Sequence, residues 1–185
     1  MPNLLPFRDY SEHEVINLYS CNTVATKGTL VKLITPLGKN VLNLSDISIG
    51  NKFSNTISNN FDIIGQVEIV TAYNDVPSAL GLLLYDVRKT DENGQPLIFN
   101  PQKMAEMGVV MPIIHAVPIL TRGIVSINDI DETARVGGSG GVPQIGAAAY
   151  VGNNGRIGVN GIIKIGKFLS TKDSSGYCLM KVNFD

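Results

Sequence analysis

The chain has 185 residues and a mass of 19.9 kDa, the size of one ordinary domain or two very small ones. Charged residues make up 17%, against roughly 25% in typical soluble domains, and 44% are hydrophobic, which excludes disorder over most of the length. With 15 Lys and Arg against 16 Asp and Glu, a net charge of −1 and a pI near 6.1, the totals give no electrostatic case for a nucleic-acid partner.

Residues 1–27 read as an N-terminal arm. Acids and the two prolines Pro2 and Pro6 stand where a secretory signal needs a basic start and an apolar core, so synthesis in the cytosol is expected. No apolar run reaches the ~18 residues of a membrane-spanning helix, and no membrane partner is expected. Pro6-Phe7-Arg8-Asp9-Tyr10 mixes aromatics with both charge signs, which suits an extended segment laid across a neighbouring subunit. Such an arm can equally fold back on its own core. Ser11 to Glu14 has the S-x-x-E spacing of a capping box, compatible with a short helix or with an extended chain.

From Gly28 a single β domain is expected, 28–185. Thr29 to Ile34, a turn at Pro36 to Asn40 and Val41 to Leu44 give a hairpin signal, followed by a polar loop from Gly50 to Asn60. Ile63 to Tyr73 and Ala79 to Arg88 read as two long strands able to bend around a barrel, separated by Asn74 to Ser78, while Val76 to Leu80 can instead open a short helix or a bulge. An insertion follows at 91–111. Asp91 to Gly94 is a turn cluster, and Asn100 as N-cap, Pro101 at the first helical position and Gly108 at the end predict a two-turn helix over Pro101 to Met107. Pro112 and Pro118 prevent Val109 to Ile127 from being one unbroken central strand. Gly137 to Gly141 is a glycine-rich loop, and the last forty residues read as strands over Ala147 to Val151, Ile162 to Leu169 and Tyr177 to Phe184. The fold class is mainly β: a small barrel or sandwich with an N-terminal arm and one or two short helices.

The candidate chemistry is thin. Gly137-Gly138-Ser139-Gly140-Gly141 fits G-x-S-x-G, but Val142-Pro143 follow where a nucleophile elbow needs a helix. A base would have to be His13 or His115, and neither has the required acid in a suitable place. Asp129 and Asp131 share a face on a strand, yet Ala134 stands where a calcium loop needs glycine, so a solvated acidic turn fits better. Arg156, Lys164 and Lys167 are too sparse and too poor in interleaved aromatics for single-stranded nucleic acid. Cys21 and Cys178 lack CxxC neighbours and read as small buried hydrophobes. Neither a catalytic residue, a metal ligand nor a cofactor is expected.

Two stretches carry a resemblance. Ile165-Gly166-Lys167-Phe168-Leu169-Ser170, then Asp173-Ser174-Ser175-Gly176-Tyr177 and the alternating Cys178 to Val182, resembles the final hairpin of head decoration (cement) proteins of tailed bacteriophages. Gly123 to Ile127, Ala148 to Val151, Asn154 to Ile157 and the proline-bearing arm fit the same layout, while 91–111 departs from it. The resemblance implies a non-enzymatic virion protein, made in the host cytoplasm, that binds a major capsid protein and stabilises the capsid surface as a trimer or dimer. Pro6, Phe7, Arg8, Tyr10 and Tyr19 are the expected capsid or subunit contacts. The alternatives are another virion β module of tail or baseplate, or a cellular β-barrel ligand-binding domain.

Overall fold

The computed structural model of the chain describes residues 4–6, 9–34, 63, 65–74, 79–133 and 140–184. The expected turn at 36–40, strand 41–44, loop 50–60, segment 76–78 and Ser139 lie outside these residues, as do Phe7 and Arg8. Among the described residues the protein is mainly β, with one sheet of seven strands, one of six and a two-stranded pair.

The seven-stranded sheet curls into a half-barrel. Its order is β1 (Leu4–Pro6), β10 (Arg122–Ile127), β15 (Cys178–Asn183), β14 (Lys164–Phe168), β12 (Ala148–Val151), β13 (Ile157–Gly158) and β11 (Ile130–Asp131). Alternation sets its faces: Cys178, Met180 and Val182 point in, as do Val125 and Ile127, while their sequence neighbours point out. The six-stranded sheet runs β2 (Val15–Ile16), β9 (Ile119–Leu120), β6 (Gly81–Leu83), β4 (Leu30–Leu33), β5 (Gly65–Ile69) and β3 (Tyr19–Cys21). Leu30, Leu82 and Leu120 from this sheet join Leu4, Phe168 and Met180 in one core. The adjacent Val31, Leu83 and Ile119 face the other way, into a second core with Tyr19 and Val67. Burial on both faces explains why these strands are continuous apolar runs rather than alternating ones.

The N-terminal stretch is built into this body. Leu4 is opposite Ile127 and wholly buried, Val15 and Ile16 pair with Leu120 and Ile119, and Tyr19 to Cys21 run parallel to Gly65 to Val67. Of the two readings of the arm, its described part takes the folded-back one. The S-x-x-E signal produces a reciprocal pair of bonds, Ser11 N–H to the Glu14 carboxylate at 2.8 Å and Glu14 N–H to the Ser11 carbonyl at 3.0 Å. No helix follows, because Val15 and Ile16 join the sheet.

The two long strands expected at Ile63 to Tyr73 and Ala79 to Arg88 are shorter. The second is interrupted: after Leu83 the chain leaves the sheet, and β7 (Asp86–Val87) pairs in parallel with β8 (Val109–Val110). A parallel pair needs a crossover, and the 91–111 insertion supplies it through a 3-10 turn (Leu97–Phe99) and α1 (Pro101–Met107). Helix α1 has the expected caps: the Asn100 side chain accepts from the Lys103 N–H at 3.2 Å, and Gly108 closes it at φ 60°. Its Met104 and Met107 pack on Leu97, Val109 and Met111 in a satellite core.

Asp91 fastens the crossover. Its buried carboxylate accepts from Asn93 N–H at 2.8 Å and Gln95 N–H at 2.7 Å, and forms an ion pair with Lys103. The Lys103 hydrogen bond above all, aided by the two amides and opposed by burial, holds the carboxyl below its ordinary range. A depressed folded pKa makes the contribution complete above the unfolded value and lost as pH falls through the folded one. Asp91→Asn should therefore melt lower than wild type at pH 7, with the gap closing below about pH 4. A melting-temperature difference that stays constant between pH 7 and pH 3 would contradict this.

Candidate functional site

Of the expected contact residues, Pro6, Tyr10 and Tyr19 are described, and these three do not form one exposed patch. Pro6 is exposed on the edge strand β1. Tyr10 is half-buried: its hydroxyl donates to the Ile124 carbonyl at 2.9 Å, and its ring lies against Gly123, where a Cβ would come within 2.9 Å of it. Tyr19 is 7% exposed within the second core, and burial pushes its phenol pKa up. Its strand is covered by the Met111–Val117 segment, through Val117 N–H to the Tyr19 carbonyl at 2.9 Å and Ile113 N–H to the Cys21 carbonyl, also at 2.9 Å. Tyr19 thus packs almost wholly inside the protein, and Tyr10 packs there with part of its surface.

The acidic turn also changes character. Asp131 is 3% exposed, and its carboxylate accepts from Thr133 N–H at 3.1 Å and Asn153 N–H at 3.0 Å. Asp129 pairs with Arg156 at 2.5 Å, and the same guanidinium donates to the Ile130 carbonyl at 3.0 Å. The expected solvated turn is instead a structural clamp. It holds the Asn153–Arg156 turn, whose Gly155 N–H reaches the Val70 carbonyl at 2.6 Å and whose carbonyl accepts from Leu30 N–H at 2.8 Å. The turn thereby ties one sheet to the other. The sequence cue was the Asn-Asn-Gly run, legible as a turn but not as a clasp.

His13 is fully in solvent beside Glu12, and His115 lies in the covering segment with its Nδ1 buried and without a hydrogen-bond partner. Cys21 and Cys178 are free and buried, and burial raises both thiol pKa values, the inert end of cysteine behaviour. A groove of about 510 Å³ opens beside β4 and β7, lined by Val24, Thr26, Thr29, Arg88, Lys89 and Asp91 among others. Within it Arg88 is paired with Asp86 at 3.1 Å and Asp91 with Lys103. The other polar groups on its wall are the Lys89 ammonium, Thr90, Asn154 and the Thr26 and Thr29 hydroxyls, which lie 3.5 Å from each other.

The chain matches no protein-family model, no curated protein and no solved structure.

Proposed function

We propose that the protein is a non-enzymatic virion component that binds the outer surface of a phage capsid and stabilises it, working as a trimer or dimer. What supports this most is the terminal hairpin, the stretch that carries the resemblance to decoration proteins. Strands β14 and β15 pair antiparallel with Gly166 opposite Val182 and Phe168 opposite Met180. The polar turn between them is organised by Asp173, which accepts from Ser175 N–H at 2.9 Å and Tyr177 N–H at 2.8 Å. The exposed apolar residues are consistent with a covering role. Ile145 is 73% exposed, and Val142, Ile162 and Leu169 are also exposed, in a chain with few charges.

The test is co-sedimentation with empty capsids, lacking this protein, of the phage that encodes it. Binding, together with a higher disruption temperature of the decorated particles, is expected; a protein that stays in the supernatant overturns the reading. The groove beside β4 and β7 favours a second reading, a ligand-binding β module, for which a small molecule would produce a saturable shift in melting temperature. Labelling of Ser139 by a serine-directed phosphonate would instead reveal a hydrolase.

A further inference from the structure

The outward face of the seven-stranded sheet carries an ordered arrangement of charge. Across four strands, Ile124 stands opposite Lys181, Lys181 opposite Lys167, and Lys167 opposite Ala148. Lys164, farther along β14, is in register with Tyr150, and Arg122 is opposite Asn183. Lys164, Lys167, Lys181 and Asn183 line one open groove of about 400 Å³. The four strands β10, β15, β14 and β12 contain no Asp or Glu at all. Among the described residues no carboxylate pairs with Lys164, Lys167 or Lys181.

Like charges directly opposite on neighbouring strands repel. The six-stranded sheet does the reverse, with Lys32 opposite Glu68 and their charged atoms 3.3 Å apart. The Lys167–Lys181 pair is therefore unfavourable in the free protein and relieved by an anionic surface laid over it. The chain as a whole carries −1, so this face, with Glu14 at its Arg122 edge, is a locally cationic field on an otherwise acidic molecule, which orients an approaching partner.

The row beside the lysines identifies the kind of partner. Leu5 is opposite Ser126 and Ser126 opposite Leu179, and Leu169 N–H donates to the Leu179 carbonyl at 2.8 Å. Leu5 and Leu169 are 44% and 40% exposed. A row of leucines around Ser126, bordered on one side by ammonium groups, matches a protein surface that sets carboxylates beside apolar side chains. A nucleic acid would need several stacking aromatics, and these four strands supply Tyr150 and, at the inward position, Phe168. We propose that the outer face of β10, β15, β14 and β12 is a docking surface for an acidic protein partner, with Lys164, Lys167 and Lys181 as its charged contacts. This holds whether or not that partner is a capsid.

The experiment measures binding of a fluorescent random copolymer of glutamate and tyrosine at low salt, by anisotropy. Lys164→Glu/Lys181→Glu is compared with Lys27→Glu/Lys89→Glu, which makes the same change in net charge away from this face. The first is expected to weaken binding about tenfold or more and the second to leave it within about twofold. The single variant Lys181→Glu, which replaces a like-charge pair by an opposite one, is expected to melt no lower than wild type while still losing affinity. Equal weakening in both double variants would show a net-charge effect only and overturn the proposal. So would preferential binding of an oligothymidylate over the copolymer, which would make the face a phosphate binder.

Discussion

Deleting residues 1–10 is expected to lower the melting temperature of the free protein by about 10 °C. Leu4 is wholly buried in the core between the two sheets, its Cβ 3.0 Å from where a Cβ on Gly28 would sit. Burying a leucine contributes about 1.5–3 kcal/mol, and the vacated space adds a further cavity cost. The deletion also removes the Tyr10 hydroxyl bond to Ile124, worth about 1 kcal/mol, and uncovers the edge of β10 that pairs with Leu4 to Pro6. The sum is about 4 kcal/mol, and a domain of this size shifts by roughly 2–4 °C per kcal/mol. Leu4→Ala alone should reproduce at least half of it, since Leu→Ala changes in cores cost about 2–5 kcal/mol. Thermal unfolding monitored by circular dichroism decides the matter. A truncated protein that melts within about 2 °C of the full chain would show that this strand is not held by its own sheet, and would return the segment to the role of an arm for a neighbour.

How far the sequence was legible follows from what each signal physically encodes. Helix α1 could be placed to the residue, because Asn100, Pro101 and Gly108 are local devices that act on backbone within one turn. Strands β10 and β15 were legible because one face is core and the other is exposed, which writes an alternation into Gly123 to Ile127 and Cys178 to Val182. Strands β2, β7, β8 and β13 are two residues each, too short to show any period. The parallel pairs β3 with β5 and β11 with β13 are held by ladder bonds between distant segments, and nothing local announces them.

The candidate contacts were harder still. Tyr10 and Tyr19 have the size and rigidity of interface anchors, and the same properties make them good core residues. Only the covering segment around Ile113 to Val117 and the tight approach to Gly123 decide between the two. The sequence displays Arg156, Lys164 and Lys167 as a sparse basic stretch, without Lys181. Lys181 joins them because antiparallel pairing brings it opposite Lys167 from fourteen positions away, a juxtaposition that spacing cannot display.

Gly166→Ala should destabilise the protein by about 3 kcal/mol or more, lowering its melting temperature by roughly 6–12 °C, or prevent folding outright. A Cβ at this position would sit on the backbone carbonyl oxygen of Lys181, with Val182 Cα only 3.1 Å away. Both obstacles are main chain, so no side-chain rotation relieves them, and β14 would have to move off β15. That movement would draw Phe168 and Met180, both fully buried, out of the core they share. Gly176→Ala is the informative comparison. Gly176 turns at φ 81° with open space around its Cβ position, so only backbone strain of about 1–2 kcal/mol is expected there. Chemical denaturation of the two variants separates the effects, and equal losses would show that the hairpin is not packed as closely as described. Lys167 stands opposite Lys181 on this same strand pair, so parting the strands would also displace that outward row. In a folded but loosened Gly166→Ala protein, affinity for an acidic partner should fall along with stability.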